Sequence, residues 1–360
     1  MSVSGQKGKL LALGAYVPVV TALVAGTMGA LLFAAIGAPA AHLTGSAVGV
    51  AVMVALRRPV AVPKALREPS LALIGMMMGA AVTPEALAVF AEIPVALLGL
   101  IIAVSAAGAA SYLALRRVGG WDPVTAACSS MPGALQVSLA VAEESGARMD
   151  RVVLAQAIRL FILVSMVPLV FGGGAEQLTS FSGSDPTALD IVLTLAIAAV
   201  VLVLARKTRL PSATLVAPMC VAAALSATGA LTVAVPPLLA IATFILLGAS
   251  VAVRLEGMSG RDVLPAIKMS LLAFLAAFCV SVSVAAVFAA LLGASVGTVF
   301  LAYAPGGVDA MVALAFLLGF DVAFVAILHV ARLIFLSLCG PFLVTWIRRR
   351  AARSPSSDTL

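Results

Sequence analysis

The feature that most restricts this chain is its division into apolar runs of about 20 residues separated by short groups of charge. That is the length of helix needed to cross roughly 30 Å of hydrocarbon. No soluble fold of this size has interior enough to hide them: 63% of the 360 residues are hydrophobic and 10% are charged, against about 25% charged in soluble domains. The mean hydropathy is +1.19. The sequence therefore predicts an all-α polytopic membrane protein. Lys7 and Lys9 precede an apolar stretch that runs from Leu10 to about Ala41. A cleavable signal has only about 7 to 15 apolar residues, so a retained first helix is expected.

The net charge of +7 is carried by Lys and Arg in short connectors beside the apolar runs. There they act as topology determinants, and no direct nucleic-acid partner is expected. Cys128, Cys220, Cys279 and Cys339 lie within apolar segments and form no C-x-x-C pair. They read as small buried hydrophobes rather than as a disulfide framework or a zinc site, and no metal or other cofactor is expected.

Laid on itself at an offset of 173 residues, the chain aligns with itself over a long segment. Pro132 falls on Pro305, Gly133 on Gly306, Gly146 on Gly319, Val152 on Val325, Arg159 on Arg332, Leu160 on Leu333 and Pro168 on Pro341. This is an internal duplication. The expected organisation is a cytoplasmic N-terminal tail over 1–14, a first repeat over 15–171, an external linker over 172–187, a second repeat over 188–347 and a basic cytoplasmic tail over 348–360.

Each repeat reads as six apolar segments. They are roughly 17–38, 41–56, 70–90, 93–115, an interrupted 121–143 and 151–171, then 189–205, 211–228, 235–253, 263–292, an interrupted 296–318 and 322–347. If all of them cross, with the N-terminus inside, Arg148, Arg151, Arg206, Lys207, Arg209, Arg254, Arg261 and Lys268 fall outside, a poor bias. If each interrupted segment instead enters and returns on one side, every connector Lys and Arg falls inside, as the positive-inside rule asks. Each repeat then crosses five times, and the odd number inverts the second repeat relative to the first. The expectation is ten spanning helices, two re-entrant elements and both termini cytoplasmic, in a bacterial inner membrane.

The two interruptions carry the chemistry. Ser129-Ser130-Met131-Pro132-Gly133 and Ala304-Pro305-Gly306-Gly307 stand in mid-segment, where Pro removes an N–H and Gly frees the backbone. Irregular backbone at membrane depth must be buried in protein or line a wet cavity. In transporters such breaks aim the positive ends of half-helices at an anionic group and leave carbonyls for a cation. Arg159 and Arg332 lie roughly 12 and 15 Å into their segments at about 1.5 Å per residue. An arginine at that depth costs at least about 2.5 kcal/mol. Each arginine could bind a substrate anion or tie down the free carbonyls of a break. Gln156 and His329 precede them by three residues on the same helical face. Asp309 could hold a coupling H+ or Na+, or cap its half-helix. His42, in a connector, reads as an interface residue.

The second repeat has Pro305-Gly306-Gly307 two residues before Asp309, then Gly319 two before Asp321, then His329 three before Arg332. With its partial echo in the first repeat, this pattern resembles the AbrB-type membrane family, whose members carry the labels ammonia monooxygenase and AbrB-family transcriptional regulator. That family is distantly similar to the cation:proton antiporter and anion transporter group. The resemblance implies an elevator-like carrier, with Pro132, Gly133 and Gln136 from one repeat and Pro305, Gly306, Gly307 and Asp309 from the other at the site. The first repeat departs from the pattern: Ala134 replaces the second Gly, Gln136 the Asp, and Arg148 the Asp of Gly-x-Asp, while Leu43-Thr44 stands where Leu210-Pro211 keeps the family's Leu-Pro. The two repeats are therefore expected to bind asymmetrically.

The expected function is secondary transport of a small anionic solute, with substrate-binding residues Ser129, Ser130, Pro132, Gly133, Gln136, Gln156, Arg159, Pro305, Gly306, Gly307, Asp309, His329 and Arg332, and with the chain acting as a homodimer. The alternative is a membrane-embedded regulator of gene expression. No hydrophilic stretch outside the apolar runs exceeds about 20 residues, too short for a DNA-binding domain, so regulation would be indirect. An enzyme is not expected: copper chemistry needs clusters of imidazole or thiolate, and the chain has two His.

Overall fold

The computed structural model describes residues 3–81, 93–133, 135–172, 187–208, 212–256 and 263–353. These residues are built of helices and short connections, with no strand among them. Up to residue 172 the helices are α1 (Val3–Ala35), α2 (Ala41–Ala55), α3 (Lys64–Ala80), α4 (Ile93–Leu113), α5 (Pro123–Ser130), α6 (Leu135–Ser145) and α7 (Met149–Phe171). A π-helical turn, Ala114–Val118, extends α4. From residue 187 on they are α8 (Ala188–Lys207), α9 (Ala213–Ala227), α10 (Pro237–Ala252), α11 (Val263–Leu292), α12 (Val296–Tyr303), α13 (Val308–Leu317) and α14 (Val322–Arg353).

Among the described residues, seven helices are long and apolar enough to cross a membrane, within α1, α4, α7, α8, α10, α11 and α14. The protein is a multi-pass, all-α membrane protein. The expected segments 41–56, 70–90 and 211–228 appear as shorter helices, α2, α3 and α9, of 15, 17 and 15 residues. Residues 82–92 lie outside the described structure. α1 begins well before its apolar stretch, because no Pro stands in the preceding turns to stop the helix. Only Cys128 of the four cysteines is buried, which corrects the expectation for Cys220, Cys279 and Cys339. In a membrane protein the outward faces are apolar too, as Val20, Val24, Met28 and Leu31 on α1 show, so an apolar neighbourhood in sequence does not place a residue inside.

The helices form two compact units, and neither unit is one sequence repeat. The first comprises residues 1–84, 161–257 and 316–320; the second comprises 85–160, 258–315 and 321–360. The first unit therefore takes α1 to α3 and α8 to α10, and the second takes α4 to α6 and α11 to α14, with α7 shared between them along its length.

Close backbone approach holds the first unit together. A β-carbon at Gly75 of α3 would meet the carbonyl oxygen of Leu215 on α9, and one at Gly248 of α10 would meet that of Leu43 on α2. Gly29 and Gly45 bring α1 and α2 together in the same way. Small residues permit this where lipid supplies no hydrophobic drive between helices. Ser46 adds a hydrogen bond from its hydroxyl to the Ile245 carbonyl at 2.6 Å.

The offset of 173 recurs in the backbone itself. Gly120 and Gly293 are both left-handed, at φ 62° and 64°, and so are Gly146 and Gly319, at 72° and 71°. Asp122 caps α5 by accepting from the Thr125 N–H, and Ser295 caps α12 by accepting from that of Thr298. α7 and α14 each begin ten residues before their arginine, at Met149 and Val322. Both arginines therefore lie roughly 15 Å into their helices, so Arg159 is deeper than the apolar pattern alone implies.

Candidate functional site

Both interruptions are made locally by a capped short helix that a proline stops. Pro123 stands in the first turn of α5, where its missing N–H is no loss, after the Asp122 cap. α5 ends because Pro132 disfavours a helical conformation for the residue before it; Met131 is extended, at φ −62° and ψ 115°. α12 ends identically, with Ala304 at φ −55° and ψ 138° before Pro305. Gly133 then turns at φ +75° into α6, and Gly307 leads into α13.

A helix that stops inside the protein leaves its last carbonyls without partners, and here side chains supply them. In the first break Ser138 donates to the Cys128 carbonyl at 2.6 Å. The Gln156 amide donates to the carbonyls of Cys128 at 3.3 Å and Met131 at 3.1 Å. Arg159 donates to the Met131 carbonyl at 2.9 Å and to the Gln156 side-chain oxygen. In the second break Arg332 donates through one terminal nitrogen to the carbonyl of Ala304, which also accepts from the Gly306 N–H at 2.7 Å, and through the other to that of Gly306 at 2.5 Å.

The two breaks adjoin within the second unit. A β-carbon at Gly133 would meet the carbonyl oxygen of Gly306 and the guanidinium of Arg332. Arg332 is fully buried and Arg159 is 5% exposed. Among the described residues neither forms a salt bridge with a carboxylate; carbonyl and amide oxygens are their acceptors.

The remaining candidates lie around this centre. Gln156 is buried beside Arg159. His329 is fully buried one turn before Arg332; its Nδ1 is 3.0 Å from the Val325 carbonyl, and its Nε2 has no hydrogen-bond partner among the described residues. Ser129 and Ser130 are buried at the end of α5, with Ser130 donating to the Ala127 carbonyl of its own helix. Pro132 and Pro305 are buried at the two breaks, and Asp309 is half-buried in the first turn of α13. The side chain of Gln136 and the whole of Ala134 lie outside the described residues. His42 is half-buried in the first turn of α2, in the other unit.

Sequence reading passed over two residues here. Ser138, a hydroxyl two turns beyond the break in an apolar run, carried a signal in its polarity. Tyr303, whose hydroxyl donates to the Ala96 carbonyl at 2.9 Å, fixes the end of α12 against α4; its place at the last residue before the break was the available sign. Among the described residues no group of three or more His, Cys, Asp or Glu could hold a metal ion.

Paired broken helices, each secured by an arginine on a long apolar helix, define a polytopic membrane protein organised around two Pro-Gly interruptions. The AbrB family, described as Transition state regulatory protein AbrB, matches residues 42–348, and the chain belongs to it. The chain is also 24% identical over 330 residues, 89% of its own length and 94% of the relative's, to "Putative regulator AbrB" of Escherichia coli (strain K12).

Proposed function

We propose that this protein is a secondary transporter for a small anionic solute, built of two inverted repeats with five crossings and one broken element each, and bound to its solute where the breaks meet. The observation that carries this reading is the contact of Gly133 with Gly306 and Arg332. It sets the Arg332 guanidinium against the first break, whose Met131 carbonyl accepts from Arg159, and α6 and α13 begin just beyond the two breaks. Half-helix N-termini present a partial positive charge, which together with the guanidiniums favours an anion against the opposing carbonyl ends of α5 and α12 and the carboxyl of Asp309. Asp309 in turn is suited to a coupling H+ or Na+. In this reading Ser129, Ser130, Gln136, Gln156 and His329 supply polar groups to the solute, and the second unit is the part that carries it, as in an elevator.

An intramembrane charge is costly and marks function more often than packing. Here the arginines also hold the carbonyls of the breaks, so binding and support are combined in the same side chains. A protein that sets the level of a solute alters gene expression indirectly, which accommodates the word regulator in the relative's name.

A screen of thermal stability in detergent against small carboxylates, phosphate, sulfate, ammonium and cations tests the reading, since a ligand of the native state raises apparent stability. Stabilisation by one anion class, with uptake of that anion into proteoliposomes, is the expected result. Stabilisation by none of the anions, or by ammonium alone, overturns it.

A further inference from the structure

The second unit contains a cleft of about 820 Å³ along α4, α5 and α14 that reaches the first break at Ser130, Met131 and Pro132. Its lining runs along α4 from Val104 to Arg117 and along α14 from Phe335 to Arg350. Those stretches measure roughly 20 Å at about 1.5 Å per residue. Both helices bring their C-terminal ends to the same end of the cleft, so Arg116, Arg117 and Arg350 gather at one extremity. No acidic residue is in the lining. The walls between are apolar, and the far end closes on Met131 and Pro132.

Small residues keep the cleft open. A β-carbon at Gly108 would have no neighbour nearer than 3.7 Å, and Ala109 is exposed in the wall. At the arginine end Trp346 is half-exposed, with the Arg350 guanidinium 5.4 Å from its ring centre. Trp beside Arg at the end of an apolar span is the pattern of the membrane–water interface. One leaflet of hydrocarbon is about 15 Å deep, so a cleft of this length accepts a chain from that leaflet with its headgroup among the arginines.

We propose that this cleft is a binding site for an anionic phospholipid of the surrounding bilayer, its acyl chain against the apolar walls and its phosphate held by Arg117 and Arg350. Arg116 has a standing duty, donating to the Trp121 carbonyl at 2.6 Å, and adds its charge to the field. A second copy of the chain is the poorer occupant: a two-fold contact centred here would set three arginines against their own images.

The test uses the purified full chain in detergent, with phosphatidylglycerol, phosphatidylcholine and inorganic phosphate as probes of thermal stability, and native mass spectrometry to read bound lipid. Phosphatidylglycerol is expected to raise the melting temperature and to remain bound through purification, while the other two do neither. Arg117→Gln and Arg350→Gln should each weaken its apparent affinity about fivefold, the effect of one basic residue on an anionic lipid. Ala109→Phe should remove binding by filling the cleft, with the protein still folded. Equal stabilisation by phosphatidylcholine, a full effect from phosphate alone, or unchanged affinity in both arginine variants overturns the proposal. So does disulfide trapping of Leu343→Cys to a second copy in the bilayer, which would place that copy over the cleft.

Discussion

Gly133 abuts Gly306 although they are 173 residues apart in sequence, and the Arg332 guanidinium lies against both. A side chain at Gly133 would have to occupy the space of the Gly306 carbonyl and of the guanidinium, at a φ of +75° that L-residues rarely adopt. Gly133→Ala should therefore lose roughly 1–3 kcal/mol from backbone strain alone, and more from the clash. A lower melting temperature in detergent checks this. A Gly133→Ala protein as stable as the parent would show that the breaks do not touch.

The arginines should respond unequally to lysine. Arg332 serves the carbonyls of Ala304 and Gly306 through two nitrogens of one planar fork, whereas Arg159 meets one backbone carbonyl, that of Met131, which Gln156 also serves. A lysine ammonium cannot reproduce the fork, and each buried polar group left unmet costs about 1–3 kcal/mol. Arg332→Lys should thus lower thermal stability clearly more than Arg159→Lys. If the anion reading is also right, both variants should lose the stabilisation given by the anion. Equal melting temperatures for the two variants would contradict the hydrogen-bond pattern.

Gly75 and Gly248 should be equally intolerant of a methyl group, because each faces the backbone carbonyl of a helix from the other repeat. Backbone yields poorly, and overpacking of this kind costs about 1–3 kcal/mol. Gly75→Ala and Gly248→Ala should lower the denaturation midpoint by similar amounts, while Gly37→Ala, which meets nothing within 4 Å, pays only for its left-handed φ. A harmless Gly75→Ala beside a damaging Gly248→Ala would remove the correspondence.

Cysteine labelling from either side of the membrane checks the proposed topology. Residues in the connector 173–187 should label from outside, and residues at 144–150, 206–209 and 255–261 from the cytoplasm. Labelling of the first group from the cytoplasm would abolish the inversion and with it the proposed transport mechanism.

Much of the site was legible because its residues are anomalous where they stand. A Pro-Gly pair in mid-span and an arginine ten residues into an apolar helix each violate the rule for a lipid-embedded segment, so Pro132, Pro305, Arg159 and Arg332 could be selected from the sequence. Which carbonyl each arginine meets could not be read, because Arg159 is 28 residues from Met131 and Arg332 is 28 from Ala304; only the fold brings them together. The bonds of Ser138 and Tyr303 were hidden for the same reason. The compact units escaped notice because sequence similarity groups residues by descent, whereas packing groups α3 with α9 and α2 with α10. The cleft between α4 and α14 was invisible because its walls between the arginines and the first break are apolar like the outward faces of the same helices.

The interleaving of the two units bears on how the protein is made. α2 finds α10 only after about 180 further residues have been synthesised, α3 finds α9 after about 130, and α4 must wait about 150 for α11. α2, α3 and α4 therefore emerge from the ribosome and stay in the lipid without these later partners, and Gly75 of α3 faces lipid until α9 arrives. A chain cut within 173–187 and expressed as two pieces should accordingly yield neither unit from one piece alone, yet recover both when the pieces are produced in the same membrane.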